Sequence, residues 1–581
     1  MKLHNISKVL GVGIAALLLT ACKDGNDWSV DSSKARVFSV SSTDISIDRE
    51  MTQATVTFKP TKGVENYTLE VSPSELNDNV VEGAAAGTKV INISSKEVNK
   101  EGKIEYTITG LKKDTRYWLR VRSNASGKTA SKWTYYEDSS KHRYFKTKAE
   151  QIFSTFTHYG KKTCNPKCLK EDEVILKWKA DEGSETAAVT HLVLTVAKNA
   201  PTTITLDATD IAARSKTLKY ADYGIGTSTT FNVIIYNGDD KRGEFTLTSP
   251  KARPAGLHEL NEDAGETIQD LIQNGSGDII IGIPASNADI ANDEESTRDD
   301  QIDVPAIQIP QGVTSVTIYG LAGGVSRRLN FTGSITFATN LTKLRFENVY
   351  LNSANGKSII DQTGVEGHFT IDAVEFDDVY SPTLSKAAYV RLRNTPSGCT
   401  IKKLYLNHVW INNQSGIQFI YTKDADNHIN EIEITNSTFT NMNHSFIDVS
   451  EKATCNSIKI SDVTFYNIIG SGRYFINAKL MEPAPTVECY RSIFAKGNAS
   501  AVRGIQSTVE SNEAAYNFST CYMTSDFKLE EKEGKLVFPF FVGTSVPSSS
   551  KIFKDTKERR FTVIDATIEG GDPRWIEPTD D

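Results

Sequence analysis

The sequence is poor in the residues that most often carry chemistry: 581 residues include only seven cysteines, nine histidines and five methionines. Positive charge is not in excess either, since 65 Lys and Arg face 73 Asp and Glu for a formal net charge of -8. Without a basic stripe the chain is not built to neutralise a polyanion, so nucleic acid is excluded as the expected partner. Paired cysteines at metal-ligand spacing are also missing. Cys164 and Cys168 flank Asn165-Pro166-Lys167, but no second pair follows, which excludes an ordinary structural zinc site. Two readings stay open for that pair, a local disulfide outside the cytoplasm or two free thiols. Cys489 and Cys521 fall in or beside apolar strands and read as small core residues. After the N-terminal segment, no apolar run approaches the roughly 20 residues that a membrane span needs.

What is present begins at the N-terminus. Residues 1–21 combine Lys2 and Lys8, an apolar stretch over 9–19 and a small-residue cleavage site, the three parts of an export signal. That stretch is too short to cross roughly 30 Å of hydrocarbon as a mature helix. Leu19-Thr20-Ala21-Cys22 resembles the lipobox of bacterial lipoproteins. The resemblance implies diacylglycerol on the Cys22 thiol, cleavage before it and further acylation, a multi-chain anchor that holds where one chain would not. Lys23-Asp24-Gly25-Asn26-Asp27 resembles the acidic export tag of Bacteroidota lipoproteins, which implies the outer leaflet of the outer membrane, facing the medium. The expected organisation is a signal peptide over 1–21, a lipidated linker over 22–34, sandwich domains over 35–149 and 150–256, a β-helix over 257–541 and a C-terminal segment over 542–581.

The first sandwich is read from short runs of alternating apolar and polar residues, clearest at 54–58, 67–71, 106–108 and 117–121. Leu111 precedes Tyr117 by six positions, a spacing that resembles the tyrosine corner of fibronectin type III modules. A second module is read with strands at 174–178, 191–196, 231–236 and 244–247, with Trp178 where such folds bury a tryptophan. Phe231 holds its corner position and lacks the hydroxyl. Neither sandwich carries a titratable cluster that suggests chemistry, and their expected role is to stand the third domain away from the membrane.

From Leu257 to about Phe541 a motif returns at intervals of roughly 26 to 30 residues, the mark of a solenoid whose coils stack on one another. Its copies are Leu344-Arg345-Phe346-Glu347-Asn348-Val349, Val374-Glu375-Phe376-Asp377-Asp378-Val379, Leu404-Tyr405-Leu406-Asn407-His408-Val409, Ile432-Glu433-Ile434-Thr435-Asn436-Ser437 and Ile458-Lys459-Ile460-Ser461-Asp462-Val463. The fold class expected is all-β: two Ig/fibronectin-like β-sandwiches followed by a right-handed parallel β-helix of about eight coils. A leucine-rich repeat is set aside because β-branched residues stand where it would need a helix.

Equivalent residues of successive coils lie about 4.8 Å apart and alternate in and out. The inward columns are then Leu344, Val374, Leu404, Ile432, Ile458 and Phe346, Phe376, Leu406, Ile434, Ile460, apolar throughout. Tyr350, Tyr380 and Trp410 fall in line one coil apart. A bend at Asn348, Asp378 and His408 would turn them outward, as an exposed strip that holds the faces of sugar rings; otherwise they lie in the core or under the C-terminal segment. A second outward column reads Asp361, Arg391, Tyr421, Asp448 and Asn477, with Arg393, Lys423 and Lys479 nearby. Arginine bonds carboxylates bidentately, so that column suits an acidic sugar such as galacturonate, against the plain alternative of a solvated face. Asn413, Asn441 and Asn467 read as a structural ladder. Asp289, Asp293, Glu294, Glu295, Asp299, Asp300 and Asp303 crowd a loop that is the one place where calcium would be sought, although their spacing fits no named calcium loop.

The lipobox, a fibronectin-type module, the repeats and the tail Gly571-Asp572-Pro573-Arg574-Trp575 together resemble Bacteroidota surface lipoproteins with C-terminal domains of unknown function and a β-helix similar to that of pectate lyases. The resemblance implies a polysaccharide-utilisation system, an outer-membrane lipid anchor and neighbouring glycan-uptake proteins as partners. It does not carry an activity across. Val409-Trp410-Ile411-Asn412-Asn413 has asparagines where the lyases have Asp-His, Gly367-His368-Phe369 departs from the hydrolase Gly-His-Gly, and Asp377-Asp378 is the one adjacent acid pair in the regular coils. The expectation is therefore a glycan-binding protein with no assigned catalytic residue, cofactor or metal. A polysaccharide lyase using Arg391 with Asp361 and Asp448 is the alternative, and an adhesin without a sugar ligand the third reading.

Thioether formation has no substitute once its sulfur is removed. Cys22→Ala should therefore abolish lipidation and release the protein from membranes, and deletion of 23–27 should keep the lipid but remove surface exposure. Membrane fractionation and protease shaving of intact cells check the two outcomes.

Overall fold

A computed structural model of the chain describes residues 36–576, apart from 139–140, 159–160, 165–167, 286–300, 322–325, 354–355, 385–387, 394, 414–416, 425, 451–452, 480, 482, 508–515, 533–534, 537–542, 557–559 and 566. Cys22 and the export signal lie outside that range, as do all the acids of the 289–303 loop except Asp303. The described chain divides into two compact units after Gln151.

The first unit is a sandwich of one sheet ordered β1 (Ser46–Arg49), β2 (Gln53–Phe58), β5 (Ile104–Thr109) and another ordered β4 (Lys89–Ser94), β3 (Asn66–Ser72), β6 (Arg116–Asn124), β7 (Thr134–Tyr135), with β8 (Tyr144–Lys146) also on β6. This is a fibronectin type III-like arrangement. The hydroxyl of Tyr117 accepts a hydrogen bond from the Lys112 amide at 2.8 Å, which is the tyrosine corner expected from the Leu111 to Tyr117 spacing.

The second unit opens with a similar sandwich. β9 (Thr155–His158) and β10 (Lys161–Cys164) form a hairpin. β11 (Glu173–Lys177) pairs with β14 (Ser215–Lys219), opposite a sheet ordered β13 (Thr202–Thr205), β12 (His191–Val196), β15 (Thr230–Asn237), β16 (Asp240–Thr248). Trp178 and Phe231 are buried in its core. Of the two readings left open by the sequence, the disulfide holds at Cys168.

The solenoid follows as parallel strands in about seven turns, close to the eight coils expected. Each regular coil has three faces. On the first lie strands such as Leu341–Glu347, Phe369–Asp377 and Cys399–Asn407, and on the second, past a corner, Tyr350–Asn352, Tyr380–Leu384 and Trp410–Asn413. The third is an eight-stranded sheet that includes Ile360–Asp361, Val390–Leu392, Ile420–Thr422, Ile447–Val449 and Tyr474–Ala478. The expected register is found: Leu344 pairs with Val374, Val374 with Leu404, Leu404 with Ile432 and Ile432 with Ile458, all in the core. Inside, the rings of Phe419, Phe446 and Phe475 stack at 5.4 and 5.5 Å, because a parallel coil sets like residues over one another. The helix Ile268–Gln273, capped by the Thr267 side chain, buries Ile268 and Ile272 over the first coils and so covers an end that would otherwise be open.

The corner between the first two faces is a residue in the left-handed region, with φ of +53° at Asn348, +53° at Asp378 and +51° at His408. These are the residue types that tolerate that conformation best. Asn348 also donates to the Gly320 carbonyl one coil back at 2.8 Å. At the next corner, Asn467 donates to Asn441 at 2.7 Å and Asn441 to Asn412 at 2.8 Å, so the asparagine ladder is structural, with Asn412 as the bonded member beside Asn413.

The corner does turn Tyr350, Tyr380 and Trp410 out of the solenoid core, but the exposed strip does not exist. Tyr380 is 5% and Trp410 1% exposed, in a second core made with Phe553, Phe561, Ile568 and Trp575 of the C-terminal segment. Trp575 meets Trp410 edge to face at 5.6 Å and donates its indole N–H to the Thr438 hydroxyl at 2.7 Å. Buried Asp572 accepts from the same hydroxyl at 2.6 Å, and Arg574 pairs with Asp572 while donating to the Val409 carbonyl at 2.8 Å. The tail is thus a latch over the second face, and Trp410, Tyr380 and their half-buried neighbour Tyr350 are packing residues rather than ligand contacts.

Truncating either buried indole should cost about 3 to 5 kcal/mol through lost burial and the cavity left behind. Trp410→Ala and Trp575→Ala should therefore each lower the urea midpoint strongly. A fall of less than about 1 kcal/mol would contradict the latch.

Candidate functional site

Two of the three faces meet other parts of the chain. On the first, the linker after β16 places Lys251 at 2.8 Å from Glu347, 3.2 Å from Asp378 and 3.6 Å from Asp377. Arg345 bonds Glu347 and Asp377 at 2.9 Å each and also pairs with Glu375. Burial works to lower the Lys251 pKa, but the hydrogen bond to Glu347 and the charges of Asp378, Asp377 and Glu347 outweigh it and hold the ammonium above its ordinary range. The ligand atoms of Asp377, Asp378 and His408 lie within 4.8 Å of one another, close enough to hold a cation. Two cations of the chain itself already lie among these acids, so the cluster is an ion-pair clamp between linker and solenoid. The Asp377-Asp378 pair, the hydrolase-like feature of the sequence, is absorbed by it.

The third face carries the remaining outward column. Strand register sets Asp361 beside Arg391, Arg391 beside Tyr421, Tyr421 beside Asp448 and Asp448 beside Asn477, with Gln506 next. This is the order read from the repeats. Asp361, Arg391, Tyr421, Asn477 and Gln506 are half-exposed, because alternate residues of these short strands point away from the core.

Arg391 donates to Asp361 at 3.2 Å, and the Arg393 guanidinium lies 5.7 Å from the centre of the Tyr421 ring. Asp448, almost buried, accepts from Gln418 and Asn477 at 3.1 Å each. Asp303, at the start of the solenoid, accepts from Asn330 at 2.7 Å and takes no part in this column. The face therefore offers a guanidinium, a phenol ring, carboxylates and amides at steps of about 4.8 Å. That row suits an extended polymer with repeating polar groups.

The sequence reading missed His444. It lies in the turn entering Ile447–Val449, one coil from Arg473 and four residues before Asp448. Its Nδ1 is buried and has no hydrogen-bond partner among the described residues. Burial and the charge of Arg473 lower its pKa to about 4 against the opposing pull of Asp448, so the imidazole is neutral at pH 7. A lone histidine in a turn gives no periodic signal; its proximity to Asp448 follows only once the coil is closed.

No family model matches the chain, and no curated protein matches it. Among solved structures it is similar to a two-domain fibronectin type III segment of chicken tenascin, at 12% identity over 37% of this chain and 100% of that one, with a TM-score of 0.19. It is also similar to the FN1–FN3 domains of chicken CNTN1, at 11% identity over 38% of this chain and 69% of that one, with a TM-score of 0.14. At overlaps this low, the sandwich and solenoid assignments rest on the strand pairings.

Since the folded His444 titrates below the unfolded value of about 6.5, the unfolded chain binds its proton more tightly. Its contribution to stability is complete above that value and is lost as pH falls toward 4. His444→Gln should flatten the dependence of the urea midpoint between pH 6.5 and 4. An unchanged slope would show that the histidine is not held neutral by its surroundings.

Proposed function

We propose that the protein is a cell-surface lipoprotein that captures a pectin-like, uronate-containing polysaccharide along the outer face of the eight-stranded sheet. The observation that carries this reading is the column Asp361, Arg391, Tyr421, Asp448, Asn477, one residue per coil and half-exposed at every member but the buried Asp448. Arg391 uses Nη1 on Asp361, and a guanidinium has four further N–H groups in a fork that matches a carboxylate. Tyr421 supplies a flat face for the C–H side of a sugar ring. Asn477 and Gln418, both held by the buried Asp448, supply acceptors and donors for hydroxyls. Arg393, Lys423 and Lys479 add positive charge beside the column, which favours an acidic glycan over a neutral one. The anchor expected at Cys22 would hold this face at the outer membrane, where glycan-uptake proteins would receive the captured chain.

Binding to polygalacturonate and to a neutral galactan tests the reading. Hydrogen bonds to charged groups are worth about 1.5 to 3 kcal/mol, so Arg391→Ala should weaken polygalacturonate binding by roughly tenfold or more and reduce its salt sensitivity, while neutral glycan is unaffected. Wild-type binding that Arg391→Ala leaves unchanged would move the site off this face, and no binding would overturn the reading.

One observation favours a second reading, a polysaccharide lyase. His444 stands unprotonated beside Asp448 and Arg473, where a base would take the proton next to a uronate carboxylate and a cation would stabilise the developing charge. Such an enzyme would release unsaturated sugars that absorb in the ultraviolet. A steady rise in absorbance, lost in His444→Ala, would establish it.

A further inference from the structure

We propose that Cys489 and Cys521 are a disulfide-forming pair that staples the last coils of the solenoid in the oxidising compartment that the export signal implies. Their sulfurs lie 3.6 Å apart and both residues are buried. A disulfide bond is about 2.05 Å long, so the gap left to close is on the scale of side-chain rotation. Cys489 points into the core from the strand Thr486–Tyr490, whose register partner for that residue in the next coil is Phe518. Cys521 reaches the same spot because the corner at Thr520, with φ of +55°, turns it inward. The other two buried free thiols have different surroundings: Cys399 is paired in register with Phe369 and Asn427, and Cys455 donates to the Ser457 carbonyl at 3.5 Å.

The thiolate of one cysteine attacks an oxidant of the disulfide class, glutathione disulfide or an oxidised dithiol protein, forming a mixed disulfide and expelling one thiolate. The other cysteine then gives up its proton and displaces the second thiolate. The pair loses two protons and two electrons, the oxidant's S–S bond is reduced to two thiols, and one S–S bond forms. Because both sulfurs are buried in the folded chain, the exchange belongs to folding, before the last coil closes. The staple would hold the site where the tail is latched. Tyr522, next in the chain to Cys521, packs in the aromatic cluster under the tail and accepts from the Glu569 amide at 3.0 Å.

The test is a peptide map of the full chain, refolded in a glutathione redox buffer and alkylated in denaturant without prior reduction. The expected result is a cross-linked peptide joining Cys489 to Cys521, about 2 Da lighter than the two reduced peptides, with Cys399 and Cys455 alkylated. Alkylation of both Cys489 and Cys521 would overturn the proposal. Thermal melts with and without reductant give a second readout in which the Cys489→Ala/Cys521→Ala protein controls for the disulfide at Cys168. Wild type should lose several degrees more than that variant on reduction. Equal losses would overturn the stapling role, and if the variant does not fold, the peptide map decides alone.

Discussion

Parallel stacking at one coil per step is the constraint from which the rest of the solenoid follows. The strand amides are satisfied by the neighbouring coil, so each strand side chain is set beside its own counterpart about 4.8 Å away. Inside, this rewards repetition of apolar shape, as in the phenylalanine stack at 419, 446 and 475. Outside, it penalises repetition of one charge unless a cation lies between, as Arg345 and Lys251 do where Glu347 and Asp377 are register partners. Arg345 lies between Glu347, Glu375 and Asp377, and Asp361 next to Arg391. A ladder thus takes two forms: satisfied from within it is structural, and half-exposed it leaves a row of polar groups facing outward.

Which use each face takes depends on what covers it. Lys251 enters the acids of the first face and ties the linker to the solenoid. The C-terminal tail places Trp575 and buried Asp572 over the second. Asp572 is the costlier choice, since a carboxylate with no exposure needs partners for its charge. It has them in Arg574 and the Thr438 hydroxyl. The third face keeps its polar column half-exposed, and its half-buried arginine and tyrosine are the groups that the proposed glycan would meet.

Much of this is written locally in the sequence. The inward columns, the corner at Asn348, Asp378 and His408, the tyrosine corner at Tyr117 and the order Asp361, Arg391, Tyr421, Asp448, Asn477 all follow from spacing, because a repeat fixes neighbours one coil away. Coverage does not follow from spacing. Trp575 bonds to Thr438 137 positions earlier, and Lys251 reaches Glu347 96 positions on. No periodic pattern links those residues, which is why an outward aromatic row could be taken for an open one. His444 and the Cys489–Cys521 contact escaped for the related reason that turns and corners, unlike strands, have no fixed in-and-out alternation.

The third face, and not the aromatic second face, is the one proposed to meet the glycan. Hydrogen–deuterium exchange of the intact chain with and without polygalacturonate tests it most directly. Slower exchange confined to Val390–Leu392, Ile420–Thr422, Ile447–Val449 and the turns beside them is the predicted result. Protection that appears instead around Trp410–Asn413 and the tail, or nowhere on the solenoid, would contradict the account.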